Sequence, residues 1–216
     1  MLRIRIIGLA IMAVFAMAAV AASSASAHEW LLNGKPITTA IKIMSDGLLE
    51  LEDTKATGGA VRVECRGFDE GTVGPGALDT VTNITSEELK GSKTISCGLV
   101  KAGLCKAPAT AEAVNLPWMT EIYLSSTGQV RDMITPGVAG KNPGWAVTCE
   151  TILGKTTDTC TIELGSTALV SLATGVDATF EEKSPNANCS VGGTGTGVVR
   201  GTDLLLNPVG ETLSFF

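Results

Sequence analysis

The chain has 216 residues, a formal net charge of −6 and only 4% aromatic residues. This length suits one large domain or two small ones, and it supplies enough apolar side chains for a core. The mild acidic excess, with no basic run in the sequence, argues against nucleic acid and against anionic membranes as partners.

Residues 1–27 have the pattern of a secretory signal peptide. Arg3 and Arg5 precede an apolar run over residues 6–22, and Ala25-Ser26-Ala27 is a small-residue cleavage site. Cleavage there would make His28 the first residue of a secreted, extracytoplasmic protein, and the alanine-rich signal indicates a bacterial source. No later segment reaches the ~18 apolar residues of a membrane-spanning helix, so we expect no membrane insertion of the mature chain.

After the signal, the first half of the chain has the pattern of strands joined by tight turns. Asn33-Gly34 and Asp46-Gly47 favour two-residue hairpin turns, because these residue types tolerate positive φ. Alternation over 60–65 predicts a strand with one apolar face. A single short helix is predicted over 85–89, where hydroxyl side chains offer a cap and two glutamates follow.

Hairpins continue in the second half. Strands predicted over 118–124 and 129–134 flank a polar turn. Strands over 145–152 and 156–162 flank Gly154-Lys155, which suits a type II′ turn. The last third reads as short strands among Gly, Thr and Asn, with an apolar final strand that pairs at a sheet edge.

These patterns define the expected fold class. Many short strands, frequent turns and almost no helix predict an all-β, antiparallel β-sandwich with disulfides, with a β-barrel as the alternative. We expect residues 28–216 to form a single all-β domain. The Gly- and Pro-rich stretch over 135–144 is either a long surface loop or a point of subdivision.

Six cysteines follow the signal peptide, and export makes disulfides the first interpretation. Because residues 149 and 160 lie equally far from the predicted turn, they are expected to face each other. Zinc is disfavoured, since no pair has the C-x₂₋₄-C spacing. The predicted pairs are Cys97 with Cys105, Cys149 with Cys160 and, by elimination, Cys65 with Cys189.

One metal site is open to consideration, at His28. An N-terminal histidine can chelate copper through its amine and its imidazole. Copper oxygenases of the histidine-brace type need a second histidine, and the sequence has none. Copper binding at His28 is therefore kept only as an alternative, and no cofactor is predicted.

Two tryptophans and the tyrosine are candidates for a ligand surface. Trp118 and Tyr123 would suit carbohydrate stacking if both were exposed near a turn. Trp145 lies close to Cys149 and is expected in the core, as in sandwich domains where tryptophan packs against a disulfide.

Catalytic residues are hard to assign from this sequence. The lone histidine and the absence of a G-x-S-x-G elbow argue against nucleophilic hydrolysis. Paired carboxylates remain as an alternative, because a polysaccharide hydrolase needs only two across a groove. The candidate acids are Glu50, Glu52, Asp53, Asp69, Glu70, Glu121, Asp132, Asp158 and Asp177.

Three segments carry a resemblance to a known group of proteins: 71–76 (GTVGPG), 115–118 (NLPW) and 144–149 (GWAVTC). On these segments the chain resembles uncharacterised small secreted proteins of soil actinobacteria. The resemblance implies export from a bacterium and assigns no activity.

We expect a non-catalytic role in adhesion, envelope structure or ligand binding. The partner would be an extracellular ligand such as a carbohydrate or an envelope component.

Overall fold

The structure is a computed structural model that describes residues 28–88, 91–124, 126, 128, 130–162, 168–172, 177–206 and 210–215. The signal-peptide prediction falls on residues 1–27, outside these residues. Within them every regular element is a β-strand, and no helix is long and apolar enough to span a bilayer. The strands are β1 (Trp30–Leu32), β2 (Lys35–Pro36), β3 (Ile41–Asp53), β4 (Val61–Val73), β5 (Leu78–Ser86), β6 (Ile95–Lys101), β7 (Lys106–Val114), β8 (Trp118–Leu124), β9 (Val130–Pro136), β10 (Gly144–Thr151), β11 (Gly154–Ile162), β12 (Ala168–Leu172), β13 (Asp177–Cys189), β14 (Gly193–Leu206) and β15 (Leu213–Phe215).

The larger sheet closes on itself into a ring of antiparallel strands. Its four long strands are neighbours in the order β4, β3, β14, β13. At one end, β6, β7, β10 and β11 connect β4 to β13. At the other end, β5, β8, β9 and β12 make the same connection. The long strands are thus shared by two stacked rings of pairing, and the ring has no free edge along them.

The ring has two halves along the direction of its long strands, and each half is named here by the strands that close it. We call the end formed by β6, β7, β10 and β11, with the adjoining ends of the long strands, the disulfide half. The end formed by β5, β8, β9 and β12 is the acidic half. The all-β, antiparallel, disulfide-bonded class predicted from the sequence is confirmed.

Alternation along the strands determines which side chains fill the ring. Buried Val63 and Cys65 face the same side of β4, as the 60–65 pattern predicts. In the disulfide half they pack with Trp145 and Val147 of β10. The far end of the acidic half is covered by a small sheet, β15-β1-β2, whose Trp30 stacks edge-to-face on Phe215 at 5.9 Å. The predicted pairing of the final strand is therefore confirmed.

Local turn predictions had mixed outcomes. Asn33 and Gly34 have φ of 53° and 72° in the β1–β2 turn, as expected. Asp46-Gly47 is not a turn, because β3 runs straight through it and Gly47 pairs with Gly67 of β4. The predicted helix over 85–89 is also wrong: β5 continues to Ser86, and Leu89 lies outside the described residues.

All six cysteines form disulfides, but the predicted pairing is wrong. The β10–β11 turn is Ile152-Leu153, not Gly154-Lys155, so Cys149 lies opposite Thr156 and Cys160 lies opposite Trp145. The bonds instead join neighbouring strands or their ends. The presence of three disulfides indicates an oxidising, extracytoplasmic environment. The observed pairs are Cys65–Cys97, Cys105–Cys149 and Cys160–Cys189.

Candidate functional site

A cavity of about 190 Å³ lies inside the ring, mainly in the acidic half. Apolar side chains such as Leu49, Val81 and Ile134 form much of its wall. Gly47 and Gly67 face each other across β3 and β4 and add no side chain. The alternation that fills the disulfide half with Cys65 and Val63 therefore leaves space where glycine occupies the inward position.

Four aspartates from four strands line this cavity: Asp69 of β4, Asp79 of β5, Asp132 of β9 and Asp203 of β14. Asp79 and Asp203 are 8% and 9% exposed. Each occupies the inward position of its strand, in phase with apolar neighbours such as Val81 and Leu205. An apolar wall thus carries four aspartate carboxyl groups, and Glu70 and Glu112 also border the cavity.

Asp79 and Asp132 are linked through a buried hydroxyl. Thr120 Oγ1 donates to Asp79 Oδ1 and lies within hydrogen-bonding reach of Asp132. Burial raises the pKa of Asp132 to about 7 and raises that of Asp79 well above its usual range, where the charge of Asp132 adds to the effect. Since the hydroxyl has one hydrogen, both links form together only when one carboxyl group is protonated.

Asp69 and Asp203 form the second pair. Burial raises the pKa of Asp203 to about 6, although a hydrogen bond from Ser45 opposes the shift. Burial also raises the pKa of Asp69 well above its usual range, and the negative charge of Asp203 contributes. The cavity therefore contains two pairs of carboxyl groups whose charged forms are disfavoured.

No cation in the described part of the chain balances this charge, because no lysine, arginine or histidine lines the cavity. The Oδ1 atoms of Asp132 and Asp203 are buried and have no hydrogen-bond partner there. Unpaired buried carboxylate oxygens are costly, and such costs concentrate at functional sites. The cavity consequently has two carboxylate oxygens that could accept hydrogen bonds from a ligand, because no described residue donates to them.

The geometry suits an organic cation better than a metal ion. Within the described ranges, the one group of three ligand residues close enough for a metal is Asp158, Cys160 and Cys189. Cys160 and Cys189 are bonded to each other, so they offer no thiolate. The cavity aspartates do not converge in threes, whereas Ca²⁺ takes six to eight oxygens.

The aromatic residues chosen from the sequence lie in different places. Trp118 lines the cavity, and its Nε1 donates to the carbonyl oxygen of Val114 at 2.9 Å. Tyr123 is five residues further along β8 and so faces the opposite side, which means that the two do not form one surface. Trp145 is 6% exposed and belongs to the core, as predicted. His28 takes part in no cluster of metal-ligating groups in the described residues, and copper binding there stays a prediction.

Other candidate acids serve contacts elsewhere. Glu52 binds Arg200 at 2.8 Å and Lys101 at 3.3 Å, and Glu50 binds Arg62 at 3.2 Å. Burial alone would raise the pKa of Glu52, but these two cations hold it below its usual value. Glu70 accepts from the Asn83 side chain, and Glu121 is exposed on β8. The side chain of Asp177 is outside those described.

Asp53 and Asp158 form a separate pair near the end of the disulfide half. Asp158 Oδ1 accepts from Ser190 Oγ and from the Val191 amide, both at 2.9 Å. Burial raises the pKa of Asp158, and contact with Asp53 adds to the shift. These acids tie β3 and β11 to the turn before β14, which is a structural role.

Sequence reasoning found Asp69 and Asp132 but missed Asp79 and Asp203. A local signal exists for Asp79, which is in phase with Val81. Asp203 has no such signal, because the leucines at 204–206 place apolar side chains on both faces of the strand. An aspartate in phase with apolar residues indicates an inward carboxyl group.

Comparison of the chain with protein-family models, with curated proteins and with solved structures gave no match.

Proposed function

We propose that this protein is a secreted, non-catalytic binding protein that holds a small organic amine in the cavity. Of the predicted roles in adhesion, envelope structure and ligand binding, the cavity supports the last. The observation that carries the proposal is the combination of apolar walls with four inward aspartates, of which Asp79 and Asp203 are buried, and no lysine, arginine or histidine among the described residues that line the cavity.

The ligand's chemistry follows from the wall. An ammonium group can donate three hydrogen bonds and would supply the donors that Asp132 Oδ1 and Asp203 Oδ1 lack. Its positive charge would favour the ionised carboxylates and lower their raised pKa values. Trp118 and the aliphatic side chains would contact an apolar body, as in other small-molecule sites.

The size of the cavity limits the ligand. An apolar cavity of roughly 150 Å³ is known to admit benzene, so about 190 Å³ suits one ring with a short amine. A polysaccharide needs an open groove that exposes several sugar units. We therefore favour amine binding over the carboxylate-dependent hydrolase.

Calorimetric titration with two ring compounds of similar size tests the proposal. We expect benzylamine, the cationic probe, to bind at neutral pH and benzyl alcohol, the neutral probe, to bind at least tenfold more weakly. Asp203→Asn should reduce the preference for the amine. The matched control is Glu64→Gln, on the exposed side of β4, and it should leave binding unchanged. Equal affinity for both probes would show that the aspartates do not recognise a cation.

A further inference from the structure

The outer end of the disulfide half is formed by four loops. They join β3 to β4, β6 to β7, β10 to β11 and β13 to β14, so all four lie at the same end of the ring. They cover residues 54–60, 102–105, 152–153 and 190–192. We call this set the loop end.

Large apolar side chains are exposed at the loop end. Ile152 and Leu153, the two residues of the β10–β11 turn, are 73% and 90% exposed, and Leu104 is 40% exposed. Leu104 and Leu153 also line a second cavity of about 290 Å³ that opens at this end. Exposed apolar residues at a turn tip, beside an apolar cavity, indicate an interaction surface.

Exposed lysines outnumber exposed acids around this tip. Exposed lysines surround it, and none of the four loops contains an acidic residue. Asp53 and Glu52 at the end of β3 are each 4% exposed and thus withdrawn from the surface. Glu150 is an exposed acid that pairs in register with two of these lysines. One of the four, Lys101, forms an ion pair with Glu52 at 3.3 Å, and Asp53 and Asp158 line the second cavity. The lysines are Lys55, Lys101, Lys106 and Lys155.

From this arrangement we propose that the loop end docks on an anionic lipid surface. Ile152 and Leu153 enter the boundary between headgroups and acyl chains, while the lysines bind the headgroup phosphates. The contact is peripheral, because a turn of two residues cannot cross a bilayer. The lysines are far apart in sequence, which is why the absence of a basic run argued against an anionic membrane.

Charge complementarity favours lipid over a second copy of the chain. Two copies that met through their loop ends would bring the lysines of one copy against those of the other, and like charges repel. An anionic headgroup surface instead offers opposite charge to the exposed Lys55, Lys106 and Lys155. Each lysine near such a surface strengthens binding by about fivefold.

Sedimentation with vesicles tests the inference on the full chain with its disulfides intact. We expect binding to vesicles of phosphatidylcholine with phosphatidylglycerol, and at least tenfold weaker binding to phosphatidylcholine alone. Replacing Ile152 and Leu153 with serine should reduce binding at least tenfold. Val138→Ser, an exposed apolar side chain in the β9–β10 connection, is the matched control and should have no effect.

A charge series keeps the test independent of the hairpin. Replacing Lys55, Lys106 and Lys155 with glutamine should abolish the preference for anionic vesicles. The same change at Lys35, Lys42 and Lys141 preserves net charge relative to that variant and should leave the preference intact. Equal binding to both vesicle types would overturn the inference. So would a dimer in sedimentation velocity that disappears when Ile152 and Leu153 become serine, since the tip would then be a contact between copies.

Discussion

The two halves of the ring share the same long strands but differ in the residues that point inward. In the disulfide half, inward positions of β4 carry Val63 and Cys65, and all three disulfides lie there. In the acidic half, inward positions of the same strand carry Gly67 and Asp69, and the cavity lies there. The disulfide half is covalently reinforced, although a second cavity of about 290 Å³ opens at its outer end. The acidic half has none of the three disulfides, and no described lysine, arginine or histidine lines its cavity beside the four aspartates.

With the proposed amine site in the acidic half, this difference places stabilisation and binding in different parts of one sheet. Burying carboxyl groups without a cation lowers the free energy of unfolding at neutral pH. Disulfides and the buried apolar residues around them raise it, and the continuous strands connect the two effects. The disulfide half therefore stabilises a fold whose acidic half would be costly by itself.

The largest expected effect comes from breaking the disulfide half. The Cys160–Cys189 bond closes a loop of 29 residues and joins β11 to β13, a pairing of only three residue pairs. Replacing both cysteines with serine should lower the free energy of unfolding by about 3 to 4 kcal/mol. Chemical denaturation of the variant and the parent measures this. A loss below about 1 kcal/mol would mean that the disulfide half is not the stabilising one.

The acidic half should respond in the opposite direction. Because the pKa of Asp132 in the fold is about 7 and its ordinary value is 3.8, the folded state holds an extra proton between these values. The free energy of unfolding should therefore fall as pH rises from about 4 to about 7. Asp132→Asn removes this penalty and should be more stable than the parent at about pH 8, by on the order of 3 kcal/mol.

Denaturation of Asp132→Asn across this pH range measures the effect. Glu64→Gln, at an exposed position, should keep the pH dependence of the parent. A variant no more stable than the parent at neutral pH would show that Asp132 is not held at a cost.

A smaller effect is expected at the junction of the halves. A Cβ on Gly67 would lie 2.6 Å from the carbonyl oxygen of Thr85, so Gly67→Ala should cost about 2 kcal/mol. Gly98→Ala is the matched control, because its Cβ would have a nearest neighbour at 4.0 Å and should change stability by less than about 0.5 kcal/mol. Thermal unfolding of both compares them. Equal behaviour would mean that the strands separate easily at Gly67.

The sequence predicted the class but not the closure. Turn chemistry identified the Asn33-Gly34 hairpin, because positive φ is a local property. The Asp46-Gly47 prediction failed for a tertiary reason: the glycine lies where β3 and β4 approach closely and where space is left for Asp203. The Cys149–Cys160 prediction failed because the β10–β11 turn is shifted by two residues, which changes every partner between these strands. The Cys97–Cys105 prediction failed because the pairing of β4 with β6 places Cys97 opposite Cys65.

The site was partly within reach of sequence reasoning. Alternation with Val81 marks Asp79 as inward, but no alternation marks Asp203, which three leucines follow. Nothing local shows that four distant strands bring their acids to one cavity. The ring closure through β13 decides that meeting. The same closure gathers the lysines of the loop end.

The central claim is that the aspartates of the cavity bind the ammonium group of an organic amine. Carboxyl-carbon NMR of Asp132 and Asp203 tests it most directly. Without ligand, both carboxyl groups should titrate well above the ordinary aspartate range, with pKa values of about 7 for Asp132 and about 6 for Asp203. Saturating benzylamine should lower both pKa values by at least about one unit, because an ammonium group favours the ionised form. Titration curves that are unchanged by benzylamine would contradict the account.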